Sequence, residues 1–378
     1  MADREITRRE FVRDGAIAAA GLAAAASAAQ AAGQVGRVAP RSAVAGAAAD
    51  TKKILNYNPD MVYRPAGKTG LMVSAVAMGG HWKRLDKMVP ALKGSWLGYN
   101  LDDPGFQKNR YDVVTRLMEV GINWIDACTI QEVTAYSRAL KGRRDKMHLA
   151  CSWYQNEMRN GKCRTEKALL ATLDKGMKDC GLDYVDLWRP TMHEQSSKHT
   201  EAEVEEMMKA LRTAKKSGKV RFGGFSSHDR KHIQWMIEKY PDVIDGFCTP
   251  YTAKTKELPT DSVFDTVRKY QVAVFGIKPF AGTSLFKGSS APDDPLAKED
   301  DERARLTIRY ILGNPALTAP IPGIINAHQV DNLALAVKEW KAQPALSAGE
   351  KARLELAMDD AWAKLPGDYQ WLKDWEYV

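Results

Sequence analysis

From Tyr111 onward the chain repeats one pattern: a segment with apolar residues three and four apart, then a short and nearly continuous apolar run, then another helical segment. The first spacing is one face of an α-helix, and the second is a strand buried on both sides. Helices are predicted over Tyr111–Val120, Ala135–Leu140, Arg164–Cys180, Glu201–Gly218, Asp229–Tyr240, Asp261–Tyr270, Asp300–Gly313 and Ala327–Val337. Between them, strands are predicted to end at Asp126 and to span Met147–Ser152, Tyr184–Trp188, Val220–Ser226, Gly246–Thr249, Ala273–Pro279 and Leu317–Pro322. With Ala75–Gly79 as the first strand, this alternation predicts a closed parallel barrel.

The remaining segments decorate that barrel. Val62–Ser74 reads as a hairpin turning at Lys68-Thr69-Gly70. Gly80–Asn109 interrupts the rhythm with a long loop carrying Trp82, Trp96 and Tyr99. Because the loop follows a strand, it belongs to the face where barrel sites are built, either as a lid or as aromatic packing. A last helix is predicted over Ser347–Lys364, opened by a Ser347-x-x-Glu350 capping box, and Tyr369, Trp371, Trp375 and Tyr377 form an aromatic tail. The expected fold is α/β, a single (β/α)8 TIM barrel with an N-terminal hairpin, a long first βα loop, and a C-terminal helix plus aromatic tail.

The N-terminus bears on location. Thr7-Arg8-Arg9-Glu10-Phe11-Val12-Arg13 precedes a weakly apolar, alanine-rich run from Gly15 to Ala32. That arrangement predicts a twin-arginine (Tat) signal over 1–32, cleaved after Ala26-Ser27-Ala28 or Ala29-Gln30-Ala31, then a linker over 33–60 and the barrel over 61–378. Alanine and glycine give too little hydrophobic drive for a stable span. The expectation is a periplasmic or secreted protein, handled by the Tat export machinery and not membrane-spanning when mature. A net charge of +8 does not point to nucleic acid, because the basic residues are dispersed among 47 acidic ones. Five cysteines show no close metal-ligand spacing, and their odd number leaves at least one thiol without an intrachain partner.

Candidate chemistry begins at Asn123-Trp124-Ile125-Asp126. A carboxylate where an apolar strand stops is costly unless it faces a polar cavity, and barrel strands end at the active-site mouth. Around it lie Gly121-Ile122-Asn123-Trp124-Ile125-Asp126-Ala127, Ala139-Leu140-Lys141-Gly142-Arg143-Arg144-Asp145-Lys146-Met147 and the hairpin Tyr63-Arg64-Pro65-Ala66-Gly67-Lys68-Thr69-Gly70. Leu182-Asp183-Tyr184-Val185-Asp186-Leu187-Trp188, Gly218-Lys219-Val220-Arg221-Phe222-Gly223-Gly224-Phe225-Ser226 and Ile321-Pro322-Gly323 follow in order. This ordered set resembles the aldo-keto reductases over roughly 62–337.

The resemblance implies an Asp, a Tyr acid, a Lys and a His around a nicotinamide. The Asp falls on Asp126, the Tyr on Gln131, the Lys on Ser152 and the His on Thr191, with His193 two residues beyond and reachable through a bulge. Gln131 donates hydrogen bonds but cannot deliver a proton, whereas a histidine such as His193 serves as acid or base near neutral pH; the candidate catalytic residues are Asp126, His193 and Gln131. For the cofactor, the resemblance assigns the carboxamide to Ser226 and Ser227, the pyrophosphate loop to Lys278, Phe280 and Gly282, a phosphate to Gly323 and adenine to Asn332. The family's strand-six amide falls on Cys248, and its stacking aromatic on Ile277. No Arg or Lys lies within 324–329, so NAD stands beside NADP. A metal reading at Cys128, Cys151, His193 and Cys248 is set aside, because strand alternation turns Cys151 outward when Ser152 faces in.

The expected function is thus an exported aldo-keto reductase-like oxidoreductase. It would act on a hydroxyl or carbonyl compound, sugar-like, and would hold its dinucleotide tightly because no nicotinamide pool exists outside the cytoplasm. The alternative is a catalytically silent ligand-binding barrel that has lost the proton-transfer set.

Overall fold

The computed structural model describes residues 50–291 and 293–378, and the expected export signal lies outside them. A two-stranded antiparallel hairpin, β1 (Tyr63–Pro65) with β2 (Met72–Ser74), precedes the barrel. Its turn plugs the barrel bottom: a Cβ on Gly67, whose φ is +53°, would lie 2.3 Å from the Gln271 carbonyl oxygen.

Eight parallel strands follow: β3 (Met78–Gly79), β4 (Trp124–Ala127), β5 (His148–Cys151), β6 (Val185–Trp188), β7 (Val220–Ser226), β8 (Ile244–Pro250), β9 (Ala273–Ile277) and β10 (Ala319–Ile321). They pair in chain order, and β10 returns to β3 through the Gly79–Gly323 bridge and a 2.7 Å bond from Gly79 N to the Pro322 carbonyl. The helices between them are α1 (Pro104–Glu119), α2 (Ile130–Ala139), α3 (Glu166–Cys180), α4 (Glu201–Lys216), α5 (Arg230–Lys239), α6 (Val263–Tyr270), α7 (Ala297–Leu312) and α8 (Ala327–Ala342). A ninth, α9 (Ala348–Ala363), and a 3-10 segment over Gly367–Trp375 close the chain. Among the described residues no helix is long and apolar enough to cross a membrane.

Three helices, α1, α2 and α7, start earlier than the apolar spacing suggests, and capping explains the first two. Asp103 accepts from Phe106 N with Pro104 at the first helical position, which draws the long loop's last residues into α1. Thr129 accepts from Glu132 N, so α2 begins at Ile130 and carries Glu132 in its first turn.

Part of the long first loop packs: Trp82 and Leu85 are fully buried in the main core, and Trp82 meets Phe106 and Tyr136 edge-on. His81, Lys83 and Trp96 from the same loop face the barrel mouth. Inside the barrel, Trp124 stacks on Phe275 with ring centroids 4.4 Å apart, over Ala150, Leu187, Ala273 and Ala319. This layer is the floor of the site.

Candidate active site

Side chains two apart on a strand point the same way. The next inward positions above the Trp124–Phe275 layer are therefore Asp126, Ser152, Arg189, Ser226, Cys248 and Ile277. Asp126, Arg189, Ser226 and Ile277 of these line a mouth cavity of about 340 Å³, at the lower end of small-ligand sites, which run from roughly 300 to 1,000 Å³.

Asp126 and Arg189 form a buried two-point ion pair, their side chains 4% and 3% exposed. Arg189 Nε donates to Oδ2 at 2.6 Å, and Nη2 donates to Oδ1. Burial alone would lower the guanidinium pKa, but Asp126 reverses this and holds it well above its ordinary value. Cys248 Sγ lies 3.6 Å from Asp126 Oδ2. The positions assigned by resemblance to Lys and His, Ser152 and Thr191, hydrogen-bond to each other at 2.8 Å. The cation beside the carboxylate thus comes from the end of β6, two strands along the sheet from β4.

A second cluster sits on the wall. Glu132, fully buried, accepts from Cys128 N at 2.7 Å and lies 2.8 Å from His81 Nδ1. Burial favours its neutral form, but His81 outweighs that and lowers the Glu132 pKa. The His81 pKa is lowered by burial and then by Lys278, with Glu132 opposing. Burial, and then Glu132, push the Cys128 thiol well up.

The rim carries cations. Lys83 Nζ donates to Tyr369 Oη at 2.7 Å, and Lys278 Nζ lies 5.4 Å from the same ring's centroid. Neither lysine has a carboxylate in ion-pair range among the described residues. Burial would raise the Tyr369 phenol, but Lys278 and Lys83 prevail and lower it. The loop holds Lys278, Ala281 and Thr283 at positive φ, a strained backbone of the kind that clusters at functional sites. Trp371 stacks on buried His228 with ring centroids 4.3 Å apart, so the aromatic tail covers the mouth.

The cavity wall brings together Asp126, Ser226, Lys278, Phe280, Gly282 and Gly323 of the expected positions. The other four lie elsewhere. Gln131 accepts from Gln155 Nε2 at 3.2 Å and is not part of the wall. His193 is half-buried, 3.0 Å from Arg164 Nη2 and stacked on His199. Ser227 Oγ donates to Ser196 Oγ at 2.7 Å beneath the rim. Asn332 accepts from Arg305 and donates to the Asp301 carbonyl, both away from the cavity. Cys151 packs in the helix-facing core, and all five cysteines are free thiols.

Arg189, Glu132 and His81 were missed from sequence, and Tyr369 was read only as part of the aromatic tail that the resemblance places near the mouth. Arg189 carried the same signal as Asp126, a charge directly after the apolar run ending at Trp188. Thr129-x-x-Glu132 is a capping-box pattern, though Glu132 bonds Cys128 N instead of closing the box. His81 and Tyr369 come from loop and tail, where no periodicity marks direction.

The aldo/keto reductase family profile matches residues 94–343, more than half of the chain. Among solved structures, the holo form of an aldo-keto reductase from Bacillus halodurans superposes with a TM-score of 0.55 at 20% identity, over 79% of this chain and 96% of that one. An aldo-keto reductase from Klebsiella pneumoniae in complex with NADPH gives 0.57 at 16% identity, over 78% and 95%. Another from that organism, with NADP and acetate, gives 0.55 at 15%, over 79% and 94%. Identities this low speak to the fold; with the profile match, they lead to one assignment. The chain belongs to the aldo/keto reductase family.

Proposed function

We propose that the protein is an exported oxidoreductase that uses NAD or NADP on a hydroxyl or carbonyl group of a small, sugar-like molecule. The observation that carries this reading is the buried Asp126–Arg189 pair at the cavity floor. It keeps a carboxylate and a cation together at the strand ends, although Ser152 occupies the expected lysine position. The structural relatives solved with NADP or NADPH support the cofactor class.

The residues present fit the nicotinamide and diphosphate end of such a cofactor. Ser226 offers a hydroxyl on the cavity wall, and Lys278 and Lys83 are cations with no carboxylate partner among the described residues, suited to phosphate oxygens. When bound, the nicotinamide supplies or accepts a hydride. The chain's own residues do the rest. Asp126 and Arg189 fix the charge of the floor, while Ser152 and Thr191 add hydroxyls beside it. Gln131 cannot deliver a proton, and Tyr369, lowered by two lysines, is the wall group suited to hold one. Trp371 and the tail exclude water, and Trp96 and Trp371 offer flat faces for a sugar-like ring.

The silent binding barrel stands as a second reading on one observation: the Tyr369 ring rests on Gly282, where a Cβ would meet it at 2.5 Å, so the chain itself fills that approach. Protein exported through its own signal and purified without added cofactor separates the two. Denaturation is expected to release NAD or NADP, identified by ultraviolet absorbance and mass spectrometry. Lys278→Ala is expected to weaken reduced-dinucleotide binding about tenfold, the worth of one charge-assisted contact. No released dinucleotide and no binding of NADH or NADPH would leave the silent barrel as the account.

A further inference from the structure

We propose that His81, Cys128 and Glu132 form a site for a zinc-like divalent cation in the cavity wall, with an open position toward the bound substrate's oxygen. Each side chain brings one ligand atom, and these atoms lie within 4.8 Å of one another. All three residues line the cavity that holds Asp126 and Arg189.

The ligand chemistry is specific. Imidazole nitrogen, thiolate sulfur and carboxylate oxygen together suit zinc, and three protein ligands with one free position are the pattern of its catalytic sites. Metal–ligand bonds of about 2.0–2.3 Å in a tetrahedron put neighbouring ligand atoms about 3.3–3.6 Å apart. Cys128 Sγ is 3.9 Å from His81 Nδ1 and 4.0 Å from Nε2, so a modest turn of the ring brings one nitrogen to that spacing.

A second observation points the same way. Glu132 Oε1 is buried and has no hydrogen-bond partner. His81 Nδ1 is 2.8 Å away, but the contact lacks the direction of a hydrogen bond. A buried carboxylate oxygen without a donor is costly, and a cation bound by both groups satisfies it once the turn of the ring opens their 2.8 Å separation. Glu132 Oε2 is already oriented by the Cys128 amide, as outer-shell bonds orient metal ligands. Metal binding releases the Cys128 proton to solvent, and the resulting thiolate and carboxylate offset the repulsion from Lys83 and Lys278.

The use of the site rests on the oxidoreductase reading: a Lewis acid here polarises a hydroxyl or carbonyl oxygen in a barrel whose Gln131 cannot protonate one. Its existence does not rest on that reading. The test uses full-length, tag-free protein, stripped by chelator under reductant and titrated with Zn²⁺ and Co²⁺ without dinucleotide. One equivalent is expected, with a near-ultraviolet thiolate-to-cobalt absorption that Cys128→Ser abolishes. His81→Ala, at a side chain 32% exposed, is expected to keep its fold by near-ultraviolet circular dichroism and lose at least about tenfold in zinc affinity. Zinc is also expected to shield Cys128, but not Cys163, from alkylation in the wild-type chain, which decides the matter if Cys128→Ser does not fold. No cobalt–thiolate band, a band that survives Cys128→Ser, or equal alkylation of Cys128 with and without zinc overturns the site. Dinucleotide release from native protein is read separately, so either proposal can fail alone.

Discussion

Replacing Arg189 by Met removes the charge and keeps much of the length, leaving the Asp126 carboxylate buried with only Cys248 Sγ at 3.6 Å as a remaining polar neighbour on that oxygen. At an effective dielectric constant near 20, unit charges about 4 Å apart attract by about 4 kcal/mol. Breaking one side of a buried pair costs about 3–5 kcal/mol, because the surviving charge stays desolvated. Arg189→Met and Asp126→Asn are each expected to destabilise by roughly that amount in urea unfolding followed by fluorescence and circular dichroism together. The double variant buries neither charge and is expected to fall short of the summed single losses by at least about 2 kcal/mol. Single losses under about 1 kcal/mol, or a strictly additive double, would refute the account of this pair as a desolvated, mutually dependent unit.

Two further outcomes test the scaffold. His199, its side chain buried, has a pKa lowered to about 4 by burial and then by His193 and Arg164, below the ordinary 6.5. The unfolded chain therefore takes up that proton first. The resulting stability is complete above about pH 6.5 and declines toward pH 4, by on the order of 1–2 kcal/mol after solvent screening. His199→Gln is expected to flatten that part of the urea-midpoint profile, and an unchanged profile would place the acid sensitivity elsewhere. Gly176→Ala in α3 gains about 1 kcal/mol of helix propensity, yet its Cβ would lie 2.3 Å from the Trp153 ring. Overpacking is expected to win, with a net loss of about 1–2 kcal/mol that Trp153→Phe partly restores; a stabilised Gly176→Ala would show that the ring moves freely.

What could be read from the sequence was local. Short continuous apolar runs and period-3.6 spacing mark strands and helices, and a charge after an apolar run marks a strand end, which is how Asp126 was found at the mouth. Helix starts at Pro104 and Ile130 were missed because their caps, Asp103 and Thr129, act through geometry more than apolar spacing. The cation for Asp126 was decided by strand neighbours and register. Arg189 follows a strand two places along the sheet, and only the closed barrel turns its guanidinium inward while Ser152 bonds to Thr191. The His81–Cys128–Glu132 cluster joins a loop to a helix start, and Tyr369 reaches Lys83 across 286 positions of chain. Such contacts depend on how far chain segments travel before packing, which residue spacing does not encode. The sequence by itself determined the barrel and one carboxylate of its site, and the tertiary structure decided which groups that carboxylate would meet.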